Sequence, residues 1–214
     1  MSSSNIMIIL TVFKWIMVGI LLLSSGCAST RTISTFNDIP DIAGLSNYAS
    51  PRDFLDKNFV PEAVQALKDI PLIRAATPRP YVAGVNFWSH AVSLLGLHGW
   101  GRKIVFPLDR FYQGSADETL LHEYVHHLDD MDRDGIAEFI DHQEFEKAFK
   151  ALLLHPDYGS KAREIAEQSD HWITNIFGIG EWSEIIAYTA EWLYDDGGPQ
   201  FMWDVFRNML KRAE

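Results

Sequence analysis

The stretch Leu120-Leu121-His122-Glu123-Tyr124-Val125-His126-His127-Leu128-Asp129 is the part of the sequence that decides the fold. Its apolar residues recur at helical spacing, which predicts an amphipathic helix. Side chains four positions apart lie on the same face of a helix, so the imidazoles of His122 and His126 point in the same direction. Zinc readily takes two such nitrogen ligands. The spacing therefore predicts a metal-binding helix.

Glu123 stands directly beside the first of these histidines, so it flanks the expected ion without having to bind it. A carboxylate in that place can accept a proton from a metal-bound water, whose pKa zinc lowers towards about 7. Glu123 is therefore predicted to be a general base in hydrolysis. An incidental pair of surface histidines is the alternative. Against it, Leu120, Val125 and Leu128 form a core stripe beside the pair, and buried histidines need partners.

The surroundings of this helix predict a mainly helical α+β domain with a small sheet over residues 49–214. Ser115 and Glu118 have the spacing of a capping box, which opens the helix predicted at 116–130. Pro107 indicates an edge strand or the end of a strand. The other predicted elements are strands at 81–87 and 103–108 and helices at 52–58, 62–70, 139–154, 160–168, 181–194 and 199–211.

A third metal ligand has to come from elsewhere, because no third histidine follows at the spacing that three-histidine zinc sites use. A downstream helix carries Glu184, Tyr188 and Glu191 on one face, at spacings of four and three. Glu184 is the first choice, since Ala187 leaves room for close approach to the first helix. Glu191 is the second choice and Glu181 the third. For any one of these glutamates, a solvated helix face is the ordinary alternative.

Together these features resemble the gluzincin-type zinc peptidases, in which one helix carries His-Glu-x-x-His and a later helix carries a glutamate. The chain is most similar to lethal-factor-like peptidases, through Glu184-Ile-Ile-Ala187 and the paired Asp129-Asp130. The resemblance covers residues 103–194 and implies a zincin-like domain that hydrolyses a protein or peptide, with Glu123 as general base. The zinc ligands that it implies are His122, His126 and Glu184.

The donor that would stabilise the oxyanion is left open by the residues. The relatives often place a tyrosine several residues before the ligand glutamate, where this chain has Phe177-Gly178. Tyr188 faces the right way and is the first choice, and His171 is the alternative. Tyr188 has a second interpretation, as a core residue whose hydroxyl orients a ligand histidine.

A second metal signal follows the first helix. Asp130, Asp132, Asp134 and Gly135 match the opening of an EF-hand calcium loop, with Asp141 at its twelfth position. An acidic turn between two helices is the alternative, since glutamate is usual at the twelfth position. Zinc is the first metal prediction and calcium the second.

The first 27 residues have the layout of a secretory signal, with Lys14, an apolar run and small residues before Cys27. The ending Gly26-Cys27 resembles the lipobox of bacterial lipoproteins. That resemblance implies a palmitate-bearing lipid anchor on Cys27 and a domain in the cell envelope outside the cytoplasm, at the outer membrane or periplasmic side in a Gram-negative cell. An uncleaved signal anchor is the alternative. Residues 28–48 are predicted to be a tether, or alternatively an irregular arm packed on the domain.

Composition excludes several classes of protein and partner. The 214 residues include 18 Lys and Arg against 29 Asp and Glu, and the formal charge of −11 repels phosphate backbones, so no nucleic-acid partner is expected. The mean hydropathy of −0.06 excludes a polytopic membrane protein. The single cysteine excludes an intrachain disulfide and a cysteine metal cluster.

Two rival hypotheses compete with a zinc peptidase. The first is a non-catalytic envelope lipoprotein, either a degenerate peptidase or a metal-binding scaffold. The intact Glu123 argues against it, because a scaffold has no need of a general base. The second is a calcium-responsive binding module.

Overall fold

The computed structural model describes residues 31–36, 45–75, 81–83, 103–107, 116–169 and 181–212. This part of the chain is mainly helical with one small sheet, as the sequence predicted for its secondary structure. No helix within these ranges is long and apolar enough to cross a membrane. The helices are α1 Pro51–Asn58, α2 Pro61–Leu67, α3 Ala116–Arg133, α4 His142–Leu153, α5 Gly159–Ser169, α6 Glu181–Asp196 and α7 Gln200–Phe206.

Four short strands form the sheet in the order β1-β2-β4-β3. They are β1 Arg31–Thr32, β2 Leu72–Ala75, β3 Tyr81–Ala83 and β4 Lys103–Pro107. β2 and β4 run parallel, with Leu72 opposite Ile104, and the two outer pairs are antiparallel. β4 ends at Pro107 as predicted, but it is an inner strand, so the alternative of an edge position is wrong. Residues 84–87 of the predicted strand at 81–87 lie outside the described part of the chain.

Side-chain caps set the starts of α1 and α4. The Ser50 hydroxyl accepts a hydrogen bond from the backbone N–H of Asp53, and Pro51 takes the first helical position. The Asp141 carboxylate accepts from the backbone N–H groups of Gln143 and Glu144 at 2.9 and 3.0 Å. These bonds satisfy N–H groups that have no partner within the helix. α3 begins at 116 as predicted, although Ser115 lies outside the described residues.

Glycine ends α3 later than the sequence indicated. Gly135 has a φ of 68°, in the left-handed region that glycine enters without steric cost. Its N–H bonds to the carbonyl of Asp132, and the N–H of Ile136 bonds to the carbonyl of Met131. This is the Schellman arrangement of a helix end. α3 therefore continues to Arg133 instead of ending near residue 130.

The same geometry does not support the calcium loop predicted at Asp130, Asp132, Asp134 and Asp141. Asp130 and Asp132 belong to α3, so they cannot present ligands as a loop does. The Asp132 carboxylate accepts hydrogen bonds from the backbone N–H groups of Phe139 and Ile140, at 2.6 and 2.9 Å, and Asp141 caps α4. The acidic stretch thus forms the end of α3 and the turn that leads to α4, which is closer to the alternative interpretation.

The described residues of the predicted tether pack on the domain. Arg31 and Thr32 pair with β2, and the backbone N–H of Ile33 bonds to the carbonyl of Leu72. Apolar side chains then bury the arm, because leaving them in water would cost free energy. The buried residues are Ile33, Phe36, Leu45 and Tyr48. For residues 31–36 and 45–48 the packed arm is therefore the better description, and the rest of 28–48 lies outside the described ranges.

One aromatic cluster joins this arm to α3, and it gives a stability prediction. The ring of Phe54, fully buried, lies 4.9 Å from that of Tyr48 and 6.1 Å from that of Tyr124 on α3. We expect Phe54→Ala to lower the free energy of unfolding by about 3–5 kcal/mol, because the cavity would not refill. Leu154→Ala is the control, since Leu154 is 87% exposed. Equal urea midpoints for the two variants would contradict the packing described.

Candidate metal centre

Packing of α6 against α3 brings the predicted ligands together. α3 and α6 pack against each other, and two small residues of α6, Ala187 and Ala190, are fully buried. Small side chains of this kind allow two helix backbones to approach closely. His122 and His126 on α3 then face Glu184 on α6, and one ligand atom from each lies within 4.8 Å of the other two.

The distances among these atoms suit one small cation. Nε2 of His122 is 3.0 Å from Nε2 of His126. The carboxylate of Glu184 lies 3.5 Å from Nε2 of His122 and 3.6 Å from Nε2 of His126. Tetrahedral zinc with bonds of about 2.0–2.1 Å has neighbouring ligand atoms roughly 3.3 Å apart. The two nitrogens and the carboxylate therefore fit a metal of that size.

Glu191, the second choice for the third ligand, contacts a different nitrogen of His122 from the one that faces Glu184. Its carboxylate lies 3.2 Å from Nδ1 of His122, the ring nitrogen on the side away from Glu184. A carboxylate on that nitrogen holds the ring in position and keeps the opposite nitrogen directed at the metal. Glu181 begins α6, but its side chain lies outside the described part of the structure. Of the glutamates whose side chains are described, Glu184 is the one at ligand distance.

His126 is held by a pair of residues that the sequence analysis did not predict. The hydroxyl of Ser183 lies 3.1 Å from Nδ1 of His126 and donates to the carboxylate of Asp129 at 2.6 Å. Ser183 is 4% exposed and Asp129 is 1% exposed. One signal was present in the sequence: Ser183, Ala187 and Ala190 have the helical spacing of a small-residue face, which indicates the side of α6 that meets α3.

The charges of the site depend on one another. Burial opposes the charged form of His122, but hydrogen bonds to the carboxylates of Glu184 and Glu191 outweigh burial and raise the pKa of His122 to about 10. Burial also opposes ionisation of Glu184, yet the two imidazoles hold its pKa well below the usual value. Without metal, His122 is therefore in its positively charged form, with a proton on each ring nitrogen, and the neighbouring Glu184 is ionised.

Glu123 and Tyr188 border the site. Glu123 is 8% exposed, and burial raises its pKa although the charges of His122 and His126 oppose the rise. The ring of Tyr188, half-buried, stands edge-on to the ring of His122 with centroids 4.7 Å apart. Tyr188 thus lies beside the predicted ligands, as expected from its position one turn after Glu184. His171, the other predicted donor, lies outside the described residues.

Metal affinity should depend on pH in a defined direction. Below its pKa of about 10, His122 carries a proton on both ring nitrogens, so metal binding must displace one of the two. We expect the apparent zinc affinity to rise about tenfold per pH unit between pH 6 and 8. Glu184 adds nothing to this slope, since it is already ionised there. Competition with a chelator of known pH dependence measures the slope, and an affinity independent of pH would contradict the charge distribution described.

Comparisons with protein-family models, with curated proteins and with solved structures found no match to this chain. Function is therefore inferred from the side chains of the candidate centre and from the motif that carries them.

Proposed function

We propose that the protein is a zinc-dependent metalloendopeptidase of the bacterial cell envelope. The observation that carries the proposal is the convergence of His122, His126 and Glu184, from two helices, with Glu123 buried next to the first ligand. Glu123 is not one of the three converging groups, so its carboxylate is left for a role other than metal binding. Hydrolysis requires such a group, since water must lose a proton as it attacks.

Zinc is the metal that we propose for the site. Two imidazole nitrogens and one carboxylate are a ligand set that hydrolytic zinc sites use, with a further position left for water or substrate. Calcium and magnesium prefer oxygen ligands throughout, so two histidines argue against them. When bound, zinc supplies Lewis acidity that polarises a carbonyl and makes water a stronger nucleophile near neutral pH.

Glu123 moves the proton in the proposed reaction. It takes a proton from the attacking water and later delivers it to the leaving amine of the peptide. Its burial supports this role, because burial raises the pKa of Glu123 and so makes its carboxylate a stronger base. Tyr188 is proposed as the oxyanion donor, supported by its contact with the ring of His122. A donor of this kind is typically worth about 2.7–4 kcal/mol in the transition state.

The resemblance to gluzincin-type and lethal-factor-like peptidases agrees with this chemistry and makes a zincin-like domain part of the proposal. The substrate proposed is a protein or peptide. The location proposed is the cell envelope, with the domain outside the cytoplasm and Cys27 lipidated after removal of the preceding signal. Residues 1–27 lie outside the described part of the chain.

Peptide cleavage by the purified, zinc-loaded protein tests the proposal. A library of unstructured peptides is incubated with the protein, and new termini are identified by mass spectrometry. We expect cleavage at internal bonds, its loss on chelation and its return when zinc is added back. Zinc binding without cleavage of any library member would contradict the peptidase proposal and favour the metal-binding scaffold.

A further inference from the structure

We infer that Asp129, acting through the hydroxyl of Ser183, is a positioning residue that leaves Nε2 of His126 as the nitrogen free to bind a metal. The inference rests on the proposed function, because it concerns the same metal site. It adds a requirement that the His-Glu-x-x-His pattern does not contain: an acid one turn beyond the second histidine and a serine on the partner helix.

The three groups form a buried chain across the contact between α3 and α6. Ser183 lies between the other two, 3.1 Å from Nδ1 of His126 and 2.6 Å from Oδ2 of Asp129. Both ends of the chain belong to α3, at positions three apart, and the middle belongs to α6 beside the ligand Glu184. The register in which α3 and α6 pack therefore places both Glu184 and the Ser183 hydroxyl beside His126.

The direction of each hydrogen bond follows from the charge on Asp129. Oδ2 of Asp129 lies 2.9 Å from the Arg133 guanidinium, and Oδ1 lies 3.0 Å from Nε2 of His142. Burial opposes ionisation of Asp129, but His142, Arg133 and the Ser183 hydroxyl together lower its pKa. A carboxylate only accepts hydrogen bonds, so the Ser183 hydroxyl must donate its single proton to Asp129.

These hydrogen bonds allow only one neutral tautomer of His126. With its proton given to Asp129, the Ser183 oxygen can only accept at Nδ1 of His126, so Nδ1 carries a hydrogen. In a neutral imidazole the other nitrogen then has the lone pair. That nitrogen is Nε2, which is the atom that faces His122 and Glu184. The chain of bonds thus fixes both the ring orientation and the donor atom.

The two ligand histidines are held by different means. Glu191 contacts Nδ1 of His122 directly, whereas the carboxylate that serves His126 is one hydroxyl away. A direct carboxylate would add a further negative charge to a site that already has the carboxylates of Glu184 and Glu191 beside His122. The Ser183 hydroxyl links His126 to Asp129, and the negative charge of Asp129 stays paired with Arg133 and His142.

The test compares the full-length Ser183→Ala, Ser183→Thr and Asp129→Asn variants, with Thr189→Ala as the matched control. Thr189 is a fully buried hydroxyl on the same helix, but it donates to the carbonyl of Ile185 within α6. Two readouts are used: zinc affinity by chelator competition, and the tautomer of His126 from nitrogen-15 chemical shifts in the metal-free protein.

We expect Ser183→Ala to lower zinc affinity about 10–100-fold, as for other groups that hold a metal-binding histidine. Its His126 should populate the form with the proton on Nε2. Asp129→Asn should shift the tautomer in the same direction, since its amide can donate to the hydroxyl. Ser183→Thr and Thr189→Ala should retain wild-type affinity.

Wild-type affinity in Ser183→Ala, or a wild-type His126 protonated on Nε2 and not on Nδ1, would overturn the inference. A wild-type protein that binds no zinc would instead count against the proposed function. The tautomer measurement needs no metal, so it separates the two failures.

Discussion

Replacement of Glu123 by glutamine is expected to lower kcat for peptide cleavage about 10²–10⁴-fold, the range in which general acid–base groups contribute. Glutamine keeps the size of the side chain but cannot accept a proton. Because Glu123 is not one of the three groups that converge on the candidate centre, zinc content should stay at the wild-type level. Loss of activity and retention of metal together separate a base from a ligand.

Peptide cleavage and zinc content are measured on the same preparation of the variant. Glu144→Gln is the matched control, because Glu144 is an exposed glutamate on α4, away from the centre, and its replacement should leave both quantities unchanged. Full activity in Glu123→Gln would remove Glu123 from the mechanism. Loss of zinc together with activity would make it a ligand and contradict the assignment of Glu184.

His126→Ala is expected to lower zinc affinity by more than 100-fold and to abolish cleavage. The variant removes one of the three proposed protein ligands, and even a residue that merely holds a ligand is worth about 10–100-fold. The fold should survive, because the side chain lies at the edge of the core and is 12% exposed. Removing it also relieves the close approach of its Nε2 to that of His122.

Equilibrium competition with a chelator gives the affinity, and circular dichroism checks the fold. His155→Ala is the control, since His155 lies beyond the end of α4 and contacts the ring of Tyr158 and not the centre. Unchanged zinc affinity in His126→Ala would mean that the metal is held elsewhere. An equal loss in the His155 variant would mean that the effect is not specific to the centre.

Local patterns located the seven described α-helices, although some ends differ, as for the helix predicted at 199–211, which ends at Phe206. Ser50 and Pro51 start α1, and the glycines at 197 and 198 follow α6, at places where caps and left-handed φ values act over a few residues. The sheet was harder to predict. β1 has two residues and β2 has four, and each exists through pairing with a distant strand and not through its own pattern.

The end of α3 shows how one motif supports two structures. Alternating aspartates followed by glycine satisfy both a calcium loop and a helix ended by a left-handed residue. The choice depends on what else the carboxylates can reach, and Asp132 reaches the backbone N–H groups of Phe139 and Ile140. Those partners lie seven and eight residues beyond Asp132, so the spacing of the aspartates and the glycine does not predict them.

The candidate site was predictable only in part. The histidine pair depends on helical spacing alone, and the space beside Ala187 indicated Glu184. Glu191 contacts Nδ1 of His122. The spacing of residues along α6 does not predict which ring nitrogen a glutamate contacts. Ser183 and Asp129 meet only because α3 and α6 pack in one register.

The central claim is that His122, His126 and Glu184 bind one zinc ion. Anomalous scattering at the zinc edge from crystals of the zinc-loaded protein tests it most directly. We predict a single peak about 2.0–2.2 Å from Nε2 of each histidine and from a carboxylate oxygen of Glu184. A zinc ion bound elsewhere, or bound by the histidines with Glu184 beyond coordinating distance, would contradict the claim.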